Sequence, residues 1–325
     1  MFILNHGVLT PGDIILTTGK SGVSYAIRAF TFSRFSHAIL YVGHGSYIHS
    51  NSSGVHSDSI NRLILRNKDD AVVLRVRDNS YCLNACNFSR SQIGKEYSVK
   101  EAVKTKSPYK MPDASDKQFC SRLVAQSYED AGLKLVKNSS YCTPQELYTS
   151  QHVTCIPCIA RVATSEEIDF ARSENPLKNQ AATTATILKE CRLLTSENIQ
   201  SLEQLDGFVF SNIHFDKKIS DIIKESGYLT LWVYEINKNI WRYDIDLFIN
   251  LPFSNKEKMD LAIREINGSK SRLQRYTPLL NYYQDRYAST KLEYAKILLE
   301  LYQNLVFHTT RNYNAAIYVF NQLKG

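Results

Sequence analysis

The sequence lacks any long hydrophobic run, because no apolar stretch among its 325 residues approaches the ~20 residues that a membrane-spanning helix needs. It also lacks a dense Lys/Arg stripe or a recognisable nucleic-acid-binding module, so we do not expect nucleic acid as a partner. The start, from Met1 to Gly7, has no basic region and too short an apolar core for a secretory signal. We therefore expect a cytoplasmic protein, with export that uses no cleaved signal left open.

The remaining composition is that of a globular protein. Hydrophobic residues make up 43% and charged residues 22% of the chain, which is long enough for two domains. The net charge of +7 lies entirely in one half, since residues 1–164 carry 19 Lys and Arg against 12 Asp and Glu, and residues 165–325 carry 20 of each. This excess favours an anionic substrate or a membrane surface, and a solvated basic face without a partner explains it equally well.

The seven cysteines are an odd number without the spacing of a disulfide framework, which predicts reduced thiols. Cys155 and Cys158 have the C-x-x-C spacing of a redox pair or of half a zinc site, but no second pair with ligand spacing follows. Cys82 and Cys86 would have to complete such a site, and packing in the core of a predicted helix explains them more simply. We therefore predict no metal and no organic cofactor.

Two histidines stand on neighbouring predicted strands. His37 begins an apolar run that extends to Gly43, and His49 lies in a second strand-like run, Ser46 to Ser50. The sequence Gly-His-Gly between these runs is typical of a hairpin turn, in which His44 is a solvated turn residue. A hairpin of this kind brings His37 and His49 within reach of each other.

A cysteine stands in the first turn of a predicted amphipathic helix much further along the chain. The pattern predicts that this helix begins after a Ser115 or Asp116 cap, contains Cys120 and ends at Gly132. A cysteine at a helix N-terminus together with a histidine on a strand has the composition of a cysteine nucleophile site. A small buried hydrophobe is the alternative interpretation of Cys120, as a buried core histidine is for His37.

Shorter patterns predict the elements around these residues. The segment from Tyr97 to Lys117 lacks periodicity and is predicted to be a loop that borders or covers the site. The other predictions for the first half are strands at Ile14–Thr17 and Ala71–Val76, helices at Ser21–Phe32, Ser59–Arg66 and Cys82–Ile93, and a short helix that begins with the capping box Thr143-Pro144-Gln145-Glu146.

The second half contains no chemistry that we can assign from the residues. A junction near Pro176 separates it from the first half, and Leu229–Glu235 with Ile240–Ile245 has the alternation of an aromatic β-hairpin. A capping box at Ser254 predicts a helix that Gly268 ends, and apolar residues recur at helical spacing beyond Pro278. A tyrosine-rich surface there would suit a protein partner, although a core stripe is the simpler use.

The first half resembles the circularly permuted papain-like hydrolases of the NlpC type, which include YiiX/YebB-like proteins and relatives of lecithin:retinol acyltransferase. The resemblance covers roughly residues 8 to 150 and depends on the order of several short motifs. These motifs are Pro11-Gly12-Asp13-Ile14-Ile15, Ser36-His37-Ala38, Tyr41-Val42-Gly43, Ile48-His49-Ser50, Gly54-Val55, Gly94-Lys95-Glu96-Tyr97 and Phe119-Cys120-Ser121.

The resemblance implies an α+β fold, in which a small antiparallel sheet packs on helices and the histidine strand precedes the cysteine helix. It implies three catalytic residues, with Cys120 as nucleophile, His37 as general base and His49 orienting His37. The oxyanion hole would use the backbone N–H of Cys120, with Gln118 or Tyr97 as candidates for a second donor. Many YiiX-like members have Glu at the position of His49, whereas the acyltransferase branch has His.

We therefore predict a permuted papain-like domain at residues 1–164 and a mostly helical accessory domain with a β-hairpin at 165–325. The expected activity is hydrolysis of an amide or ester bond through a Cys120 acyl-enzyme, as in an amidase or peptidase. A lipid acyl hydrolase or acyltransferase is the alternative, and a non-catalytic binding module is the alternative of another class. The expected partners are a small-molecule, peptide or lipid substrate and, through residues 165–325, another protein.

Overall fold

The structure, a computed structural model, describes residues 1–18, 34–97, 117–157 and 159–324. Contacts within the chain divide it into two compact units, Met1–Leu205 and Asp206–Gly325. Within the described ranges, no helix is both long and apolar enough to cross a membrane. The predicted helix at Ser21–Phe32 lies outside the described residues, as does most of the predicted loop after Tyr97.

The first unit is built on a six-stranded antiparallel sheet with the strand order β5-β4-β3-β2-β6-β7, accompanied by a two-stranded sheet of β1 and β8. The strands are β1 (Phe2–Leu4), β2 (Ile14–Thr17), β3 (His37–Gly43), β4 (Ser46–Asn51), β5 (Gly54–Ser59), β6 (Ala71–Val76), β7 (Val153–Ile156) and β8 (Ala160–Val162). The strands predicted at Ile14–Thr17 and Ala71–Val76 are therefore confirmed.

The central strands are apolar on both sides, because each face of the large sheet is covered. Ile14 and Leu16 of β2 belong to a core that includes Leu123 from the cysteine helix. Ile15, which points the other way, belongs to a second core that includes Ile159 beside the small sheet. A strand buried on both faces reads as a continuous apolar run, which is the pattern that the sequence shows here.

Helices of the first unit follow the sheet strands in the chain. They are α1 (Cys82–Ser91), α2 (Cys120–Asp130), α3 (Pro144–Tyr148), α4 (Ser165–Arg172), α5 (Pro176–Thr195) and α6 (Leu202–Ser211), of which the last extends into the second unit. The predicted capping box of α3 is confirmed, since Thr143 and Glu146 cap each other. At the predicted helix Ser59–Arg66, the structure has only the short 3₁₀ helix Ile60–Arg62.

The cysteine helix begins later than the sequence predicted. Its first residue is Cys120, and the extended residue Phe119 occupies the cap position without a side-chain hydrogen bond. Ser115 and Asp116, which the sequence suggested as caps, lie outside the described residues. The prediction of the cap was wrong because the turn around Phe119 is fixed by packing, as Phe119 is only 1% exposed.

Residues 165–205 pack with the first unit. Asn175 donates a hydrogen bond to Asp58 of β5 over 3.1 Å, and Arg192 of α5 forms an ion pair with Glu96 at 2.8 Å. Arg62 donates to three backbone carbonyls, that of Phe170 in the last turn of α4 and those of Ser173 and Glu174 between α4 and α5. The sequence placed a boundary at 164/165, and by its contacts the chain divides 41 residues later, between Leu205 and Asp206.

The second unit is helical throughout its described residues. Its helices are α7 (Asp216–Glu225), α8 (Leu231–Lys238), α9 (Ile245–Ile249), α10 (Asn255–Thr290) and α11 (Glu293–Lys324). The capping box of Ser254 and Glu257 is confirmed at the start of α10, but Gly268 does not end this helix, which continues to Thr290. A single glycine costs a long packed helix only about 1 kcal/mol, so it does not stop one.

The predicted β-hairpin in the second unit is wrong. Its first strand falls on α8, and its second falls on the 3₁₀ helix Ile240–Tyr243 and the start of α9. The aromatic residues instead pack between helices. The centre of the Trp232 ring lies 4.9 Å from that of His308 in α11, and the centre of the Trp241 ring lies 5.0 Å from that of Phe248. Aromatic enrichment favours a strand only where a sheet is present to receive it.

We expect a chain that ends at Leu205 to fold, and a chain that ends at Thr164 to be less stable. The shorter chain loses the Arg192–Glu96 ion pair and the fully buried α5 residues Ile187 and Leu188. Burial of each such side chain contributes on the order of 2 kcal/mol. Urea unfolding of the two chains, followed by circular dichroism, measures the difference, and equal midpoints would contradict the assignment of 165–205 to this unit.

Candidate active site

Cys120 lies where the N-terminus of α2 meets the start of β3. Its side chain is buried, and its sulfur lies near the backbone N–H groups of Ser121, of Cys120 itself and of Ala38, the residue that follows His37, so that these groups favour the thiolate. The first N–H groups of a helix have no partner within the helix, so they favour negative charge on a thiol placed there. The fold therefore positions Cys120 next to the histidine strand, as the cysteine-site hypothesis requires.

The two predicted histidines are in contact. Strands β3 and β4 pair so that Ile39 lies opposite His49, and His37 Nε2 is 2.8 Å from His49 Nδ1. The turn residue His44 between them is exposed. The contact that the hairpin predicted is therefore present, and it leaves Nδ1 as the ring nitrogen of His37 that His49 does not hold.

A third histidine, which the sequence analysis missed, continues this contact. His56 of β5 lies opposite His49, and their Nε2 atoms are 3.0 Å apart. The Nδ1 atom of His56 is 3.1 Å from the backbone carbonyl oxygen of Gly54. We call His37, His49 and His56 the histidine chain. The signal was available, because His56 directly follows the Gly54-Val55 motif, but the motif was used only for the family resemblance and the residue after it was not considered.

Burial disfavours the charged forms of both Cys120 and His37. Loss of hydration lowers the pKa of His37 to about 4, with a smaller contribution from the nearby His56. Burial likewise lowers the pKa of His49 and of His56. Desolvation raises the pKa of the Cys120 thiol, although the surrounding backbone N–H groups act in the opposite direction. The resting site therefore holds a neutral thiol and neutral imidazoles.

The two candidates for the second oxyanion donor differ in their surroundings. The side-chain amide of Gln118 is buried and donates to Gln92 over 3.3 Å and to Gln126 over 2.8 Å, away from the thiol. The Tyr97 phenol lies close enough to Cys120 for the two groups to interact electrostatically, and burial raises the pKa of Tyr97. The amide hydrogens of Gln118 are therefore engaged by Gln92 and Gln126, and Tyr97 remains as the candidate for the second donor.

A cavity of about 620 Å³ lies between α5 and the turn that joins β4 to β5. Tyr97 belongs both to the cavity wall and to the surroundings of Cys120. Helix α5 supplies two basic residues to the wall, Lys189 and Arg192, of which Arg192 is paired with Glu96. The remaining wall residues are Glu96 itself, Ser52, Ser53, Gly54, Gly94, Ala185 and Leu193.

The other cysteines of the sequence analysis have separate environments. Cys86 is 1% exposed and packs in the core with the half-buried Cys82, as the core interpretation predicted. Cys155 is exposed, and Cys158 lies outside the described residues. Among the described residues, every cysteine is a free thiol, and no group of three or more His, Cys, Asp or Glu residues has a geometry that could hold a metal ion.

Comparison with known proteins assigns the segment that holds these residues. Residues 8–162, a little under half of the chain, match the model of a family described as permuted papain-like amidase enzyme, YaeF/YiiX, C92 family. The matched segment belongs to that family. The resemblance and the α+β fold class predicted from the sequence are thereby confirmed, and the family is one of amidase enzymes.

A comparison with solved structures also finds a match to part of the chain. It is described as the metalloprotein YiiX from Escherichia coli O157:H7, and it matches with a TM-score of 0.36 and 20% identity over 45% of this chain and 96% of that one. No curated protein sequence matches the chain.

We expect alkylation of Cys120 in the resting protein to increase only as the pH rises past the ordinary thiol value of 9.0. A neutral His37 provides no cation to stabilise the thiolate, so His37→Ala should leave this pH profile in place. Iodoacetamide labelling resolved by mass spectrometry measures it, with the exposed Cys155 as an internal reference. Persistent labelling of Cys120 at pH 5 that His37→Ala abolishes would instead demonstrate a thiolate–imidazolium pair.

We also expect the histidine chain to make the fold sensitive to acid. A histidine whose pKa is lowered on folding stabilises the protein above its ordinary pKa of 6.5, and that stability is lost as the pH falls toward about 4. Each such histidine contributes up to about 1.4 kcal/mol per pH unit to the slope. Urea unfolding at pH 7, 5.5 and 4.5 should show a shallower loss for His37→Gln than for the wild type, and a wild-type slope for His152→Gln, which lies outside the histidine chain.

Proposed function

We propose that this protein hydrolyses an amide or ester bond through an acyl-enzyme on Cys120, with His37 as general base and His49 as the residue that orients it. The observation that carries the proposal is the position of the Cys120 sulfur, which meets the N–H of Ala38 while His49 holds the Nε2 side of the adjacent His37. This is the division of roles found in cysteine and serine triads.

In the proposed reaction, the sulfur of Cys120 attacks the substrate carbonyl carbon and the thiol proton moves to Nδ1 of His37. The carbon–nitrogen or carbon–oxygen bond then breaks, and His37 returns the proton to the leaving amine or alcohol. Water activated by His37 hydrolyses the thioester and restores the thiol. Since burial favours neutral resting groups, the proposed reaction starts from the thiol and not from a preformed thiolate–imidazolium pair.

The same helix end supports the charge that develops on the substrate. In the tetrahedral intermediate the carbonyl oxygen becomes an oxyanion, which the backbone N–H of Cys120 and the O–H of Tyr97 would stabilise. No hydrogen bond joins Cys120 to His37, both of which are described residues. Catalytic hydrogen bonds are often long before substrate binds and tighten in the complex, so this separation is compatible with the proposed roles.

The cavity suggests which substrates fit. Its volume of about 620 Å³ suits a small molecule or a short segment of a peptide, and Lys189, whose charge adds to the Arg192–Glu96 ion pair, favours an anionic group in the cavity. The imidazole at position 49, shared with the acyltransferase branch, supports lipid acyl hydrolysis or transfer as the second candidate. A non-catalytic binding module would use the same cavity and leave Cys120 unreactive.

Acyl trapping tests the proposal directly. We expect p-nitrophenyl acetate to acylate Cys120 and release nitrophenolate in a burst equal to the enzyme concentration. Intact mass should then show one acetyl adduct, and peptide mapping should place it on Cys120. Cys120→Ser should remove the burst, whereas the matched control Cys155→Ser, which alters an exposed thiol away from the site, should retain it.

The expected losses follow from the proposed roles. His37→Ala removes the base and should reduce the acylation rate by about 10²- to 10⁴-fold. A folded protein that forms no adduct, or that forms it only on Cys155, would identify the binding module instead. A panel of anionic amides and long-chain acyl esters at equal concentration then separates the two hydrolase candidates by the acyl group found on Cys120.

A further inference from the structure

We infer that His56, held by the carbonyl of Gly54, is a positioning residue that fixes the protonation pattern of the histidine chain, so that Nδ1 of His37 is its unprotonated nitrogen. The inference rests on the proposed function for its catalytic meaning, and the pattern itself can be measured without any reaction. It concerns a residue that neither the sequence motifs nor the family match singles out.

The protonation pattern is fixed first at the backbone carbonyl of Gly54, which can only accept a hydrogen bond. A backbone carbonyl oxygen only accepts hydrogen bonds, so the 3.1 Å contact requires that Nδ1 of His56 carries the hydrogen and donates it to Gly54. A neutral imidazole has one N–H and one bare nitrogen. The Nε2 atom of His56 is therefore bare and must accept.

The same rule then applies to His49 and His37, the other two members of the histidine chain. Because Nε2 of His56 accepts, the 3.0 Å contact is donated by Nε2–H of His49, which leaves Nδ1 of His49 bare. Because that nitrogen accepts, the 2.8 Å contact is donated by Nε2–H of His37. Nδ1 of His37 is thus left bare, and a bare nitrogen is what a general base needs in order to take the thiol proton.

The burial of the chain keeps all three rings neutral, which the rule requires. His49 and His56 are each 7% exposed, and the loss of hydration disfavours their charged forms. Around His56 the charged groups are Asp58, which favours protonation, and Lys178, which opposes it. If His56 were protonated, its Nε2 would donate to His49, and both contacts between histidines would reverse their direction.

The requirement for His56 follows from the residue at position 49. A carboxylate at this position would only accept, and would orient His37 without help. An imidazole can donate or accept from either nitrogen, so a histidine at position 49 orients His37 correctly only when another group selects its tautomer. His56 is the residue that contacts its other nitrogen.

Gly54 holds the fixed end of the pattern in place. Its φ of +86° is in the region that favours glycine, and a Cβ atom at this position would lie 2.6 Å from the carbonyl oxygen of Lys95. The N–H of Val55 donates to that same oxygen over 2.8 Å. The turn therefore presents the Gly54 carbonyl to His56 in one orientation.

Nitrogen NMR of the histidine rings tests the protonation pattern in the full-length wild-type protein. Long-range ¹H–¹⁵N spectra of histidine-labelled protein at pH 7.5 distinguish protonated from bare ring nitrogens, and single His→Gln variants assign the signals. We expect N–H at Nδ1 of His56, at Nε2 of His49 and at Nε2 of His37. An N–H at Nδ1 of either His49 or His37 overturns the inference, whether or not the protein reacts with any substrate.

Acylation by p-nitrophenyl acetate tests the consequence. His56→Leu leaves a buried N–H of His49 without an acceptor and should lower the acylation rate constant by about 5- to 100-fold. His56→Gln, whose amide oxygen can accept from His49, should recover most of that loss. Thermal unfolding of each variant shows whether it is folded under the conditions of the assay.

Testing His56→Leu in a second variant distinguishes a positioning role of His56 from a purely structural one. In the His49→Glu protein, position 49 accepts from His37 regardless of its neighbour, so adding His56→Leu should change the acylation rate by less than about twofold. An equal loss in both backgrounds would assign His56 a purely structural role and overturn the inference. A wild-type protein that shows the expected NMR pattern but forms no adduct would refute the proposed function and leave the positioning of the chain established.

Discussion

The contact between the N-terminus of α2 and the start of β3 is the interaction on which the site depends. It places the Cys120 sulfur near the backbone N–H of Ala38, so two segments that are 82 residues apart in the sequence meet at this thiol. The sheet core beneath them, with Leu16, Leu40 and Leu123 all fully buried, holds this contact in place. Its cost is desolvation of the reacting groups, which keeps both of them neutral.

This balance explains why the electrostatics of the site could not be predicted from the sequence. The motif order located Cys120, His37 and His49, and the hairpin turn correctly predicted the contact between the histidines. A cysteine at a helix N-terminus beside a histidine ordinarily has a lowered thiol pKa. Burial reverses that expectation by raising the pKa of Cys120 and lowering that of His37. Burial depends on how distant segments pack, which a local pattern does not contain.

The same distinction separates the correct and incorrect predictions of the fold. Strands buried on both faces were recognisable from continuous apolar runs, and capping boxes at Thr143 and Ser254 marked helix starts because their hydrogen bonds are local. The aromatic segment around Trp232 and Trp241 was misread as a hairpin, since only contacts with α11 and α9 decide that it is helical. His56 was overlooked because its importance lies in its cross-strand neighbour.

The cavity wall has a mixed origin within the first unit. The reacting groups and Tyr97 lie inside the segment that matches the amidase family, whereas Lys189 and Arg192 come from α5, beyond residue 162. Substitutions in α5 can therefore alter the charge and shape that an incoming molecule meets without touching the atoms that form or break bonds. In the proposed enzyme, α5 therefore offers positions at which the charge of the cavity can change while Cys120 and the histidine chain stay as they are.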